Sequence, residues 1–232
     1  MNVENAYCEK LREILKSYGI DMNEQKIELI ARYLLLLIDA PINVSGIEDF
    51  ESAVHKHVVD VLLPVSWLEG RLLDVGTGGG VPGVVLSIVY PITSVLVDSS
   101  KKKTVWLSNT IEKLGLKNVE VVCERIENLA DRYRESFDYV TARAVAPLRI
   151  LFELCAPFCK INGLLLLYKG PNWPEEMTQA KRAAEILKVK LEESVEYRLS
   201  GGERRVLLKF RKFEPTEKTY PRETKKILKR PL

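Results

Sequence analysis

The stretch RLLDVGTGGGVPG, Arg71 to Gly83, constrains this chain more than any other. An apolar run ends on an acid, Asp74, and enters a turn with five glycines between Gly76 and Gly83. A strand that stops in such a turn and restarts as a helix brings backbone N–H groups against a ligand, because glycine has no side chain and accepts positive φ. Two patterns overlap here. Gly78, Gly80 and Gly83 satisfy the dinucleotide spacing G-x-G-x-x-G. Asp74, Gly76, Gly78 and Gly80 satisfy the acid-plus-alternating-glycine pattern of enzymes that use S-adenosylmethionine (AdoMet).

The surroundings of the turn give the fold class. From Arg71 onward, short apolar and β-branched segments alternate with helical ones. Strands are predicted at 72–75, 94–97, 119–122, 137–142 and 164–168. Helices are predicted at 82–89, 101–114 (stopped by Gly115), near 126–131, from Pro147, and at 174–187. Strands of this texture are buried on both faces of a parallel sheet, and the alternation implies right-handed crossovers. The pattern then breaks. Residues 195–199 and 206–210, joined by Ser200-Gly-Gly-Glu203, read as a β-hairpin. Upstream, 8–18 is a helix carrying Leu11, Ile14 and Leu15 and stopped by Gly19. Asn23 caps a second helix through Ile38, a turn follows at 41–46, and a third helix covers 50–63. The expected architecture is α/β and Rossmann-like. It has a mostly parallel doubly wound sheet with a C-terminal antiparallel hairpin. The expected organisation is a helical extension at 1–68, the α/β domain at 69–212 and a basic tail at 213–232.

Composition excludes several classes. The chain of 232 residues is 46% hydrophobic and 29% charged, an ordinary globular balance. Its two histidines, His55 and His57, and four cysteines without a C-x-x-C pair point away from a metal site. Cys123, Cys155 and Cys159 sit in apolar contexts and read as buried thiols of a reducing cytosol. No leader pattern opens the chain, and the longest apolar run, 33–38, is too short to span a bilayer. Net charge is only +3, yet nine Lys/Arg face three Glu from Lys209 onward, so a basic tail follows a slightly acidic body. That asymmetry suits a polyanionic partner. The reading is a cytoplasmic monomer with no membrane partner.

The acid at Asp74 decides between the two cofactors. A carboxylate there repels a pyrophosphate but attracts the cationic amino acid end of AdoMet, directly or through water. Asp98 ends the second strand, where an acid accepts ribose hydroxyls of either cofactor. No substrate domain of dehydrogenase size follows the sheet. Ile126 and Glu127 open the loop that brackets an adenine in this architecture. Arg143 ends the fourth strand and Lys169 the fifth, on the rim where a methyl group is delivered.

These residues and their neighbours resemble one family nearly end to end, the bacterial 16S ribosomal RNA guanine-N7 methyltransferases, or glucose-inhibited division protein B family. The matching pieces are the Asn43-Val-Ser turn, His57-Val-Val-Asp60, Asp74-Val-Gly-Thr-Gly-Gly-Gly-Val-Pro-Gly83 and Val97-Asp-Ser99 with Lys102-Lys103. Ala142-Arg-Ala144, Lys169-Gly170, Gly202-Glu-Arg204 and Tyr220-Pro-Arg222 before a basic terminus follow in order. The resemblance implies that residues 69–212 are a class I AdoMet-dependent methyltransferase domain, with AdoMet contacts from Gly76, Val81, Asp98, Ile126-Glu127 and Arg143. It implies a substrate that is 16S ribosomal RNA, the small ribosomal subunit or its assembly intermediate.

The chemistry is consistent with what the chain lacks. Guanine N7 has a free in-plane lone pair and no proton to remove, so it needs placement rather than a general base. The segment Ala142-Arg-Ala-Val-Ala-Pro147 carries neither an (Asn/Asp)-Pro-Pro-aromatic motif nor a nucleophilic cysteine. Arg143 and Lys169 are the expected catalytic residues, Arg143 in a geometric role and Lys169 on phosphate or O6. The turn N–H groups and Asp74 are expected to hold the methionine end. N7 is out of reach in a deep A-form groove, so the base is unpaired or splayed out. Lys101, Lys102, Lys103, Arg204, Arg205 and Arg222 are the expected RNA contacts. His57 is expected to pack near the cofactor. The competing readings are an assembly factor whose methyl transfer is dispensable, a methyltransferase of another substrate class and, more distantly, an NAD dehydrogenase.

Overall fold

The computed structural model describes residues 3–42, 46–47 and 49–232, so the predicted Asn43-Val-Ser turn lies outside the described residues. Helices α1 (Val3–Ser17) and α2 (Glu24–Ile38) come first. Asn23 caps α2, its side chain accepting from the Lys26 N–H at 3.0 Å. The predicted third helix is one run of three pieces: α3 (Phe50–Ala53), a π-helical segment (Val54–Val59) and α4 (Asp60–Leu62).

The strands are β1 (Gly70–Val75), β2 (Ile92–Asp98), β3 (Val119–Cys123), β4 (Phe137–Arg143) and β5 (Cys159–Lys169), then β6 (Val189–Arg198) and β7 (Arg204–Lys212). Between them run α5 (Gly83–Val89), α6 (Lys101–Leu114), a 3-10 turn (Ile126–Leu129) with α7 (Ala130–Tyr133), α8 (Leu148–Cys155) and α9 (Trp173–Ile186). The chain ends on α10 (Thr224–Lys229). Gly115 stops α6 at φ 68°, the left-handed position that glycine fills without strain.

One seven-stranded sheet has the order β3-β2-β1-β4-β5-β7-β6. β1 to β5 pair in parallel, and β7 pairs antiparallel with both β5 and β6. Side chains alternate between two apolar layers. Leu72, Leu96 and Leu166 face the layer shared with α1, α2, α5 and α6. Leu73, Val95, Val97, Leu165 and Leu167 face the layer shared with α8 and α9. The helical extension thus shares one core with the sheet.

Two expectations change. Cys123 is exposed, because it is the last residue of the edge strand β3; Cys155 and Cys159 are buried. The tail is not a free basic arm. Ile227 is buried against the α8 side of the sheet, and Arg222 makes a two-pronged ion pair with the fully buried Glu153 of α8 at 2.6 and 2.7 Å. A buried carboxylate in an apolar helix must be paired, and the tail supplies the partner.

Candidate active site

Asp74, Asp98, Arg143 and Lys169 sit at the carboxyl ends of parallel strands, the edge where α/β sheets bind ligands. The glycine turn follows β1 and is held from several sides. Asp74, 1% exposed, accepts the Thr77 hydroxyl at 2.7 Å and the Gly83 N–H at 3.0 Å through Oδ2. Its Oδ1 is buried without a hydrogen-bond partner among the described residues. Burial pushes the Asp74 carboxyl up to about 6, against the pull of those two hydrogen bonds. A buried acceptor left open in this way is a site for a cationic amine or a bound water.

The turn differs from expectation in one respect. The N–H groups of Gly76 and Thr77 donate to the Val97 carbonyl and that of Gly80 to the Thr77 carbonyl. Those of Gly78 and Gly83 go to Asp98 and Asp74. The loop thus spends most of its donors on its own fold, and only the Gly79 and Val81 N–H groups of the turn have no hydrogen-bond partner among the described residues. A pyrophosphate spreads its charge over many oxygens and needs a long row of donors, whereas the single carboxylate at the amino acid end of AdoMet needs few. Gly78, at φ 58°, has open space where a Cβ would stand, so a ligand can approach its backbone closely.

Asp98 accepts from Gly78 N at 3.0 Å and Ser100 N at 2.8 Å, one bond on each oxygen. It keeps lone pairs for ribose hydroxyls. A cleft of about 180 Å³ lies beside it, lined by Gly76, Asp98, Ile126, Glu127 and Val145. Thr224 of the C-terminal helix lines the same cleft, its N–H donating to Glu127 Oε1 at 2.9 Å. Val81 is buried and sets the entry to α5 instead of facing this cleft.

Arg143 is bound to the helical extension. Its Nη1 donates to the Lys56 carbonyl at 2.6 Å and to Asp60 Oδ2 at 2.9 Å, and its Nη2 donates to His57 Nδ1 at 3.0 Å. A guanidinium only donates, so His57 Nδ1 accepts and the ring proton resides on Nε2, which is buried without a partner. Burial and the Arg143 charge hold the His57 pKa down to about 3. Asp60 also accepts the Tyr197 hydroxyl at 2.8 Å and lies 3.8 Å from Arg205 Nε. His57 and Asp60, three residues apart, share one helix face. Both residues and the Lys56 carbonyl that Arg143 also meets lie in or next to the π-helical turn, and such turns recur at functional sites. Ala144, at φ 57°, turns the chain sharply just after Arg143, a strained conformation of the kind stored at functional sites.

Lys169 ends β5 and pairs with Glu176 of α9 at 2.7 Å. Asp60, Arg143, Tyr168, Lys169, Glu176 and Arg205 line a second cleft of about 320 Å³. Lys101 and Lys102 are exposed at the start of α6, with Lys103 half-buried. Arg204 is exposed and 3.7 Å from Glu196. Arg222 is the exception among the expected RNA contacts: its guanidinium is spent on Glu153, so it fastens the tail. Lys225, Lys226, Lys229 and Arg230 remain exposed beside it.

Two contributors, Tyr33 and Glu176, escaped the sequence reading, and a third, Asp60, entered it only through the His57-Val-Val-Asp60 match. Tyr33 of α2 is fully buried and donates to the Gly79 carbonyl at 2.8 Å, bracing the glycine turn from the extension. Asp60 gave a signal, an acid inside the apolar run His57-Val-Val-Asp-Val-Leu-Leu63. Glu176 gave none, as one acid among several on an exposed helix. Among the described residues, no group of three or more His, Cys, Asp or Glu is arranged to hold a metal ion. No described helix is long and apolar enough to cross a membrane.

Comparison with known proteins gives a consistent result. The family model described as rRNA small subunit methyltransferase G matches residues 23–206. A Pseudothermotoga lettingae protein named ribosomal RNA small subunit methyltransferase G is 52% identical over 223 residues, covering 96% of this chain and 99% of its own. The Thermotoga maritima protein of the same name is 48% identical over 231 residues, covering 99% and 97%. Among solved structures, M. jannaschii TYW2 in complex with AdoMet has a TM-score of 0.51 at 16% identity, over 65% of this chain and 72% of that one. At that identity the likeness is one of fold.

Proposed function

The chain belongs to the rRNA small subunit methyltransferase G family, and from that premise we propose that it transfers the methyl group of AdoMet to N7 of a guanine in 16S ribosomal RNA. The carrying observation is the pairing of a donor-poor glycine turn, closed by a buried and half-unpartnered Asp74, with a fixed cationic rim at Arg143 and Lys169. The fold is a mixed α/β sheet flanked by helices, and we read it as the class I methyltransferase type. The substrate is the small subunit, its assembly intermediate or its RNA, met in the cytoplasm by a monomer.

AdoMet supplies an electrophilic methyl group on a sulfonium. Asp74 Oδ1 suits its ammonium, Gly76 and Gly78 allow close approach, Asp98 suits its ribose, and Ile126 with Glu127 brackets its adenine. The rest of the work is positioning. His57 is no base, because its Nδ1 lone pair is taken by Arg143. Cys155 and Cys159 are no nucleophiles, because burial pushes both thiols up, Cys159 to about 12. A target that needs neither proton removal nor covalent attack, such as N7, fits this site. Arg143, already neutralised by Asp60, orients the base or the cofactor end without opposing the charge that forms on the purine. Lys101, Lys102, Lys103, Arg204, Arg205 and the exposed tail cations suit RNA phosphates.

The test is transfer of labelled methyl from AdoMet to small-subunit RNA, followed by borohydride–aniline cleavage, which cuts at N7-methylguanine. Label incorporated without cleavage contradicts the N7 assignment. Label found only on protein or small molecules contradicts the RNA substrate.

A further inference from the structure

Resting on that reading of the site, we infer that Glu176 reads the Watson–Crick edge of the target guanine while Lys169 beside it takes O6. Glu176 thereby selects guanine and counters the charge that methylation places on the base. The argument starts from how the pair is tied down. Glu176 Oε2 accepts the Leu148 N–H at 2.9 Å and forms an ion pair with the Lys169 ammonium, 2.7 Å away. Oε1 has no hydrogen-bond partner among the described residues, although the side chain is only 26% exposed and lines the 320 Å³ cleft. Lys169, 12% exposed, donates to the Ala146 carbonyl at 3.1 Å and is ion-paired with Glu176. An ammonium has three donors, so at least one N–H is left. One open donor and one open acceptor thus stand side by side, each held by bonds to backbone.

Guanine presents the complement of that pair: O6 accepts, and the adjacent N1–H and N2–H groups donate. Adenine presents the reverse on the same edge and sets donor against donor at Lys169. Uracil resembles guanine there but has no N7. The sheet order adds direction. The cofactor turn follows β1, β4 lies next to it, and Lys169 ends β5 on the far side of β4. A base lying over β4, with its Watson–Crick edge toward Lys169 and Glu176, turns its N7 side toward the β1 turn. An edge read by protein is not paired with RNA, so the target base is single-stranded or extruded.

The electrostatics point the same way. The N7 lone pair forms the new C–N bond as the C–S pair returns to sulfur. Positive charge passes to the base, and no proton leaves. A cationic purine holds N1–H more acidic than a neutral one, so its bond to a carboxylate strengthens as the reaction advances. That is stabilisation of the transition state over the ground state.

The test uses the full-length enzyme and a small-subunit RNA. The methylated guanosine is first mapped by the cleavage above. The RNA is then rebuilt by ligation with inosine at that position; inosine keeps N7, O6 and N1–H but lacks the 2-amino group. Wild-type enzyme is expected to lose about ten- to a hundredfold in kcat/KM on inosine, the range for a hydrogen bond to a charged group. Glu176→Gln keeps the side-chain shape and an acceptor for Leu148 N–H. It is expected to lower activity on guanosine and to bring the guanosine-to-inosine ratio toward one, with AdoMet affinity unchanged. A wild-type ratio near one overturns the inference, and so does a variant that slows both substrates equally. The wild-type ratio is measured on unaltered enzyme, so a variant that fails to fold leaves the test intact. No cleavage at any guanine overturns the N7 reading and this inference with it; cleavage with a ratio of one overturns this inference alone.

Discussion

Arg143 donates to Asp60 at 2.9 Å, tying the carboxyl end of β4 to the helical extension that precedes the sheet. The same carboxylate accepts the Tyr197 hydroxyl from β6 at 2.8 Å, so one buried acid fixes three elements around the reactive rim. Asp60→Ala removes the partner of a largely buried guanidinium and is expected to cost about 3 kcal/mol or more in urea unfolding. Asp60→Asn keeps the volume but loosens Arg143. It is expected to lower single-turnover methyl transfer by about tenfold or more, with a much smaller change in AdoMet affinity. Wild-type turnover in Asp60→Asn contradicts a positioning role for the pair.

Asp74 couples the site to pH with two opposite signs. Its carboxyl lies at about 6 in the folded chain against an ordinary 3.8. Between those values the folded protein holds a proton that the unfolded chain releases. The ligand-free protein therefore loses stability as pH rises through that window, on the order of 3 kcal/mol in all. Binding of a cationic amine favours the ionised form, so AdoMet affinity is expected to rise with pH and level off above about 6. Calorimetry between pH 5 and 8 checks it, with Asp74→Asn expected to flatten the curve. A flat wild-type curve contradicts contact between Asp74 and the ammonium.

The parallel strands were legible because burial on both faces leaves apolar, β-branched runs such as Leu72–Val75 and Ser94–Val97. The hairpin was legible only at its turn. β6 reaches back to Val189 through Lys190, Glu192 and Glu193, polar because this strand is the exposed edge. The π-helical turn was invisible, since the same side chains suit an ordinary α-helix. Asp74, Asp98 and Arg143 could be placed because strand ends fix them locally. The pairing of Arg222 with Glu153 could not, since it joins positions 69 residues apart. Its one trace was a lone acid in the apolar helix Leu148-Arg-Ile-Leu-Phe-Glu-Leu-Cys155. How few N–H groups of the glycine turn stay free was not legible, because sequence does not show that Val97, Asp98 and Asp74 consume most of them.

Two glycines of the turn are expected to fail differently. A Cβ on Gly80 meets Val84 at 2.6 Å and Leu107 at 2.9 Å inside the core, so Gly80→Ala is expected to destabilise the fold by about 2 kcal/mol or more. A Cβ on Gly78 meets only open space, so Gly78→Ala carries the milder strain of φ 58°, about 1 kcal/mol. Its methyl group, however, stands where a ligand approaches. Thermal melts should show Gly80→Ala as the less stable variant, and calorimetry should show Gly78→Ala folded with AdoMet affinity lowered at least tenfold. Unchanged affinity in Gly78→Ala contradicts the cradle.

The exposed cations predict a salt signature. Lys101 and Lys102 open α6 beside the cleft, where the helix dipole disfavours positive charge. If each meets a phosphate, replacing both with Gln lowers the slope of log affinity against log salt by about 2. Binding of small-subunit RNA measured from low to moderate salt checks it. An unchanged slope assigns the two lysines to solvent.

The C-terminal strap joins stability to the cofactor cleft. Arg222 neutralises Glu153, which is fully buried, and two residues later the Thr224 N–H caps Glu127 at the cleft. Arg222→Ala leaves Glu153 without its countercharge and is expected to cost about 3 kcal/mol. Because the same segment holds Thr224 on Glu127, AdoMet affinity should fall with it. A compensated pair, Glu153→Leu with Arg222→Met, removes both charges and is expected to recover most of the stability, as replacement of buried ion pairs by apolar groups does elsewhere. If the strap serves the cleft only by staying folded down, the compensated pair also recovers AdoMet affinity. If affinity stays low while the melting temperature returns, Arg222 acts on the cleft through more than its bond to Glu153. If Arg222→Ala changes neither quantity, the tail is a passive arm after all, and its exposed lysines are all that it contributes.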